Sequence, residues 1–400
     1  MTANNRKQPT RRDALRTMLT APAVLMSPSI FEQAAASQPS RATTVPTPSV
    51  ITQSVAAQSG DTLSPNLQWL YNEARVEGGQ LVVFAGGDSA NQNDGLKQAF
   101  EQQFPGLTLT IRTDLSKYHD ARIDNQLARN RLEPDLTHLQ TLQDFDRWKD
   151  EGVLLQFVPE GFEQVYDEFK DKDGYYVGIA AYAFSYLSNN TLIPPDQAPR
   201  TALDFLDPRY KGKLTIIWPN DDDAVLYMFY NIINKYGWGY MDWLMGQQPT
   251  FVRGTPAAVG AVYSGQAVAT IAGFGSLVAA PGSPATFTLP SEDFFQSWAQ
   301  TAAIFKNARH PWAAKLYVSW LLSKPYQERS LQWSVRKDVP PPPGFKPLRE
   351  YTNTNPVGFH NWMKDRALVE RFKSQIELYA GTPQGPNPAG AQGPLLLTNG

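Results

Sequence analysis

The sequence predicts an α/β protein of two doubly wound lobes, joined by a hinge so that a cleft lies between them. Short apolar runs alternate with segments of helical period across short connections, the order that builds a mostly parallel sheet covered on both faces. Two segments, Tyr175–Leu187 and Ala285–Leu289, stand where the chain passes from one set of these units to the other and back. The third observation is Phe205–Tyr230, FLDPRYKGKLTIIWPNDDDAVLYMFY. Its strand, Leu214 to Trp218, is β-branched and apolar on both faces, as a helix-covered parallel strand is. Pro219 stops it, and Asn220 to Asp223 offer caps to a helix beginning near Ala224. Open α/β sheets bind their ligands at such strand-to-helix turns.

Lobe 1 is expected over 65–182 together with 287–345. Asn66–Glu77 has helical spacing, Gly78-Gly79 breaks it, and Leu81–Phe84 is a buried strand. That strand exits into Ala85–Ser89, where Gly86 and Gly87 permit close approach of a ligand to the backbone. Asp94 caps the helix Gly95–Gln103. Strand Leu107–Ile111, helix Ala121–Arg131 and strand Asp135–Leu139 follow, the last delivering Gln140 and Thr141 to the same edge ahead of helix Leu142–Glu151. Lobe 2 is expected over 183–286. It holds helix Ala202–Leu206, the Leu214 strand, helices within 224–248, the turn Phe251–Thr255, helix Pro256–Ser264 and strand Ala267–Ala272, which ends at Gly273-Phe274-Gly275. Phe294–Phe305 and Pro311–Leu322 read as helices that complete lobe 1. Residues 346–380 form a C-terminal helical segment, with Phe359–Tyr379 placed to pack across the lobes, and 381–400 read as a disordered tail.

Composition narrows the function. At 400 residues and 42% hydrophobic content the chain can bury two cores. Its 36 basic and 38 acidic residues show no basic stripe, which argues against a nucleic-acid partner. Ten Trp and seventeen Tyr exceed what a core alone requires, so some are expected to line a binding surface. The absence of cysteine removes disulfides and a thiol nucleophile.

Residues 1–36 read as an export signal. Arg11-Arg12 precede a short, mildly apolar stretch from Met18 to Phe31, and Ala34–Ala36 offer a small-residue cleavage site, the order of a twin-arginine signal. Pro22 and Pro28 interrupt the stretch, which is too short to remain as a membrane span. Residues 37–64 are Pro/Thr/Ser/Gln/Ala-rich without periodicity and read as a disordered linker.

Five blocks, in order, carry a family resemblance: EGGQLVVF from Glu77, LKQAFEQQFPG from Leu96, DPRYKGKL from Asp207, FVRGT from Phe251 with SGQ from Ser264, and FKNARHPWAAKLYVSWLLSKPYQ from Phe305. Over about 75–340 the chain resembles the periplasmic solute-binding proteins of ABC importers, in the group that contains ferric-iron, thiamine, polyamine and phosphonate binders. The resemblance implies a type II periplasmic binding protein fold, a small-molecule or metal-ion solute, ABC permease subunits in the inner membrane as partners, no cofactor, no catalysis and a monomeric state. It implies ligand-facing loops holding Phe84, Gly86, Gly87, Asp88, Ser89, Gln140, Thr141, Tyr182, Trp218, Asn220, Asp221, Asp222, Asp223, Arg253, Gly254, Thr255 and Phe274. Each has a plainer rival: Phe84 and Trp218 as core, the three aspartates as a solvated cap, Arg253 as an ion-pair partner. Ferric-iron members usually have tyrosine where Phe84 stands. Tyr227 and Tyr230, three apart on one helical face, are the phenolates available if the ligand is iron, or are packing.

Four carboxylates (Asp88 and Asp221 to Asp223) at the expected cleft make its field negative, with Arg253 as the opposing charge, which favours a cationic solute such as a polyamine, a thiamine-like amine or ferric iron. Two other classes compete: a carboxylate-dependent hydrolase, and a signalling receptor built on the same clamp. The sequence has no Gly-x-Ser-x-Gly elbow and no His-Glu-x-x-His, and its four histidines are scattered.

Overall fold

One seven-stranded sheet runs through both halves of the molecule, and a 13-residue strand belongs to both. The computed structural model describes residues 63–330 and 332–390. The export signal expected over 1–36 and nearly all of the linker lie outside these residues.

Helix α1 (Pro65–Val76) starts at Ser64, whose hydroxyl accepts from the Leu67 amide, and it buries Leu67, Leu70 and Ala74. Strand β1 (Gln80–Gly86), α2 (Asp94–Gln103), β2 (Thr108–Asp114), α3 (Ser116–Ala128), β3 (Leu136–Leu139) and α4 (Gln143–Asp150) follow in the expected alternation. The long strand β4 (Val177–Asn189) leads to β5 (Thr215–Ile217), α5 (Asp223–Tyr236), α6 (Gly239–Gly246), β6 (Thr250–Val252), α7 (Thr255–Tyr263), β7 (Ala269–Gly273) and β8 (Ala285–Thr288). The chain continues through β9 (Gln296–Ile304), α8 (Pro311–Leu321), α9 (Lys324–Glu328), α10 (Gly358–Lys364) and α11 (Arg366–Ala380).

The sheet order is β2-β1-β3-β9-β4-β7, with β8 also on β4. Strands β1, β2 and β3 are mutually parallel, but β9 is antiparallel to both β3 and β4, so the sheet is mixed. This corrects the helix expected over Phe294–Phe305. All nine positions of QSWAQTAAI are buried, so the alternation that marks a half-exposed strand is missing, and the central slot between two strands overrides the helical preference of its alanines. The second crossing also moves. Residues Ala285–Thr288 pair with the lobe-2 half of β4, so the chain returns to lobe 1 between Thr288 and Gln296.

Lobe 1 packs one core of α1, α2 and α8 on one face of its sheet, and a second, around Phe84, Phe145, Trp148 and Phe305, on the other. Buried Asp135, just before β3, ties these pieces together. Its carboxylate accepts from the amides of Val82 (2.9 Å), Arg309 and His310 (both 2.8 Å), and it meets His310 Nδ1 at 2.9 Å. The lobe-2 core gathers α5, α6 and the ends of β4 and β7, and it takes in Phe359, Trp362, Val369 and Phe372 of α10 and α11. The helical segment expected over Phe359–Tyr379 is thus two helices. They divide at Asp365, whose side chain caps α11 through the Leu368 amide. Helix α10 also reaches lobe 1, where His360 and Lys364 meet Asp146 at 2.8 Å each. No helix among the described residues is long and apolar enough to cross a membrane.

Candidate functional site between the lobes

The carboxyl ends of the parallel strands of both lobes converge on one cleft, as expected for open α/β sheets. From lobe 1 come the turn after β1 with Asp88, the turn from β2 into α3 with Asp114 to Tyr118, and the turn after β3 with Gln140. From lobe 2 come Asn220 to Asp223 after β5 and Arg253 to Thr255 after β6.

Among the described residues, four residue pairs join the two sides of the cleft through six hydrogen bonds. Lys117 Nζ donates to the Asp221 carboxylate at 2.6 Å and to its carbonyl at 2.7 Å. Gln140 Nε2 donates to Asp222 Oδ1 at 3.3 Å, and the Arg253 guanidinium reaches Tyr118 Oη at 3.3 Å. Asp88 Oδ2 accepts from the Thr255 amide (3.0 Å) and hydroxyl (2.7 Å), so a lobe-1 carboxylate caps the lobe-2 helix α7.

The three aspartates have three different roles. Asp221 is held by Lys117 and by two nitrogens of Arg253, at 2.7 and 3.0 Å. Burial pushes its pKa up, but the two cations outweigh that and leave it below the usual carboxylate range. Asp222 is the N-cap of α5, accepting from the Ala224 and Val225 amides. Burial, then the nearby charge of Asp88, pushes its pKa up to about 7. Asp88 is raised for the same leading reason, burial. Asp223 is buried beside Lys373 of α11, at 3.5 Å.

Several expected ligand residues sit elsewhere. Phe84 has no exposed surface; its ring packs on His119 at 4.8 Å beneath Arg112 and Arg122, so it is core. Trp218 is buried against Phe251 at 4.7 Å. Tyr227 and Tyr230 stack at 6.1 Å under Trp362 and Phe359, and burial raises the Tyr227 pKa, which disfavours a phenolate there. Gly86 and Gly87 are approached by protein: a Cβ would fall 2.3 Å from Ser116 Oγ at Gly86 and 2.6 Å from Thr113 Cγ2 at Gly87. Ser89 is a turn residue whose carbonyl accepts from the Gln92 amide. Thr141 is buried at the start of α4. Tyr182 and Phe274 keep partly exposed rings in edge contact at 5.8 Å, and burial lifts the Tyr182 hydroxyl to about 12. Gly254 has φ +77°, which only glycine adopts without strain.

Sequence reasoning missed the β2–α3 turn. Asp114 is paired with Arg122 at 2.9 Å, and Arg122 also donates to His119 Nδ1 at 2.9 Å. Burial, then the Arg122 charge, lowers the His119 pKa to about 3 and keeps the ring neutral. The signal was there: Asp114-Leu115-Ser116-Lys117 is a strand-to-helix turn like the one after β5. Among the described residues no group of three or more His, Asp or Glu is placed to hold a metal ion.

A cleft between two α/β lobes that share crossing strands defines a two-lobed binding clamp of the type II periplasmic binding protein fold. Residues 135–331, just under half of the chain, match the model of the bacterial extracellular solute-binding protein family. Proteins of that family bind solutes outside the cell. Among curated proteins no relative matches the sequence. Solved structures share the fold. Iron-bound HitA from Pseudomonas aeruginosa superposes with a TM-score of 0.59 at 19% identity, over 74% of this chain and 99% of its own. AfuA from Actinobacillus pleuropneumoniae, with exogenous fructose-6-phosphate bound, gives 0.60 at 19%, over 75% and 99%. An ABC-transporter substrate-binding protein from Agrobacterium tumefaciens gives 0.62 at 15%, over 74% and 94%.

Proposed function

We propose that the chain captures a small cationic solute, an organic amine in the first instance, and delivers it as a monomer to an ABC permease. One observation carries this. Both helix N-termini that lobe 2 turns to the cleft are already met by carboxylates, Asp222 on α5 and Asp88 on α7, while Lys117 and Arg253 are both engaged by Asp221. An anion would have to displace these carboxylates; a cation would find them. The partly exposed rings of Tyr182 and Phe274 offer faces to an organic cation. HitA with iron and AfuA with a sugar phosphate show that this fold takes ligands of either sign, so the sign is argued from this cleft. The iron reading is weakened by the burial of Tyr227 and by the stacking of Tyr230 against it. A binding role rather than an enzymatic one is supported by the histidines, of which His119 and His138 are buried in side-chain networks.

Proton linkage tests the sign. With a folded-state pKa near 7, Asp222 carries a proton at pH 6 and loses most of it by pH 8. A cation favours the ionised carboxylate, so its binding at pH 6 should expel close to one proton, and its affinity should fall about tenfold per pH unit below 7. The same raised pKa means that the side chain's contribution to stability is greatest below pH ~4, where the unfolded carboxyl is also protonated, and fades as pH rises through about 7. Calorimetry of spermidine, thiamine, ferric citrate and fructose 6-phosphate, in two buffers of different ionisation enthalpy at pH 6 and 8, reads the proton count directly. Tight binding of fructose 6-phosphate, unchanged in Asp222→Asn, would overturn the cationic reading.

Export through the twin-arginine route is proposed from Arg11-Arg12. Changing both to lysine keeps the charge and should leave uncleaved precursor in the cytoplasm, because the receptor reads the pair itself. Normal maturation of that variant counts against the route.

A further inference from the structure

We infer that residues 381–390 are a built-in strap, a segment of the chain's own C-terminal region that occupies the mouth of the cleft and competes with solute. The inference goes beyond the ligand reading and rests on separate contacts. Residues 381–390, the described part of the tail expected to be disordered, instead leave α11 and turn back between the lobes. Asn220 Nδ2 donates to the Gly381 carbonyl at 2.9 Å, and Arg253 donates to the Gly385 carbonyl at 3.1 Å, both from lobe 2. Asn387 Nδ2 then reaches Asp114 Oδ1 at 2.8 Å, on lobe 1. Pro388 lies against Gly254, where an added Cβ would come within 3.0 Å of the proline Cβ, and Ala389 is fully buried. Asn387 also shapes its own turn, accepting from the Ala389 amide at 3.1 Å and donating to the Gly390 carbonyl at 2.9 Å.

Composition explains why this segment can dock and release. Pro383, Pro386 and Pro388 restrict the free chain, so less conformational entropy is lost on docking. It forms no helix or strand; it meets the lobes through the side chain to backbone bonds of Asn220 and Arg253 and through the Asn387–Asp114 pair. Because α11 is anchored in the lobe-2 core, the segment sits beside the cleft at an effective concentration of order mM. It engages Asn220, Arg253 and Gly254, groups placed to meet a solute, and it bridges to lobe 1 as a solute would. A strap docked about nine-tenths of the time weakens solute binding about tenfold.

The test compares the full chain with one ending at Ala380, by amide hydrogen exchange. Exchange at 114–118 and 253–255 should quicken at least about tenfold on truncation while the β1–β2 core stays protected. Asn387→Ala, which removes the bond to Asp114 and leaves the rest of the chain, should give an intermediate increase. Unchanged exchange at both loops in both variants would overturn the strap. Spermidine and fructose 6-phosphate serve as probes of competition: whichever binds should bind the shortened chain about tenfold more tightly, and equal affinity would count against competition. If neither binds, the solute reading fails, whereas the exchange result still decides the strap.

Discussion

Asp135→Ala should cost about 3–5 kcal/mol of folding stability, the range for removing one partner of a buried, charge-assisted network. The carboxylate is 1% exposed and accepts from three backbone amides and one imidazole, drawn from β1 and from the turn between β9 and α8. Alanine leaves all four groups without this acceptor, at a position where the carboxylate itself is closed to water. Denaturant unfolding should show a lower midpoint with an unchanged slope, because the surface exposed on unfolding is the same. Asp135→Asn should be milder, since its carbonyl oxygen can still serve the adjacent Arg309 and His310 amides. A loss below about 1 kcal/mol in the alanine variant would mean that water replaces the carboxylate.

Asp221→Ala should open the clamp. Its carboxylate joins Lys117 of lobe 1 to Arg253 of lobe 2, and its side chain is 6% exposed. Removing it leaves two partly buried cations facing each other, a change of about 3–5 kcal/mol against the closed arrangement. Small-angle scattering should report a larger radius of gyration than for the unaltered chain, and a saturating cationic solute should bind about 10–100-fold more weakly, as like charges now meet it. An unchanged radius would show that the Asp88–Thr255 and Gln140–Asp222 contacts hold the lobes together without Asp221.

How much of this was legible in the sequence depended on whether the signal was local. The buried strands β1, β3 and β5 announce themselves by β-branched and apolar runs, and the α5 cap lies in four consecutive residues. Strand β9 did not, because a strand buried along its whole length loses its period. The Asp221–Asp223 run reads as one negative patch, yet each member answers to a different partner, and Lys117 is 104 positions away from Asp221. Phe84 looked like a ligand face because the loop after it faces the cleft; its own ring points to the opposite layer, as alternate residues of a strand do. The strap left no signal at all, since Pro and Gly without periodicity describe a docked segment and a free one equally well.

Strand β4 carries a mechanical consequence. Its first half is paired with β9 and its second half with β7 and β8, and the register slips between Ser185 and Leu187, where an added Cβ at Gly273 would fall 2.5 Å from Leu187 Cβ. The two lobes are therefore not plates on a free pin; they are the two ends of one pleated ribbon. Separating them must wring that ribbon, whose register slips again between Gly178 and Ala180, and its hydrogen-bonded rows act as a return spring.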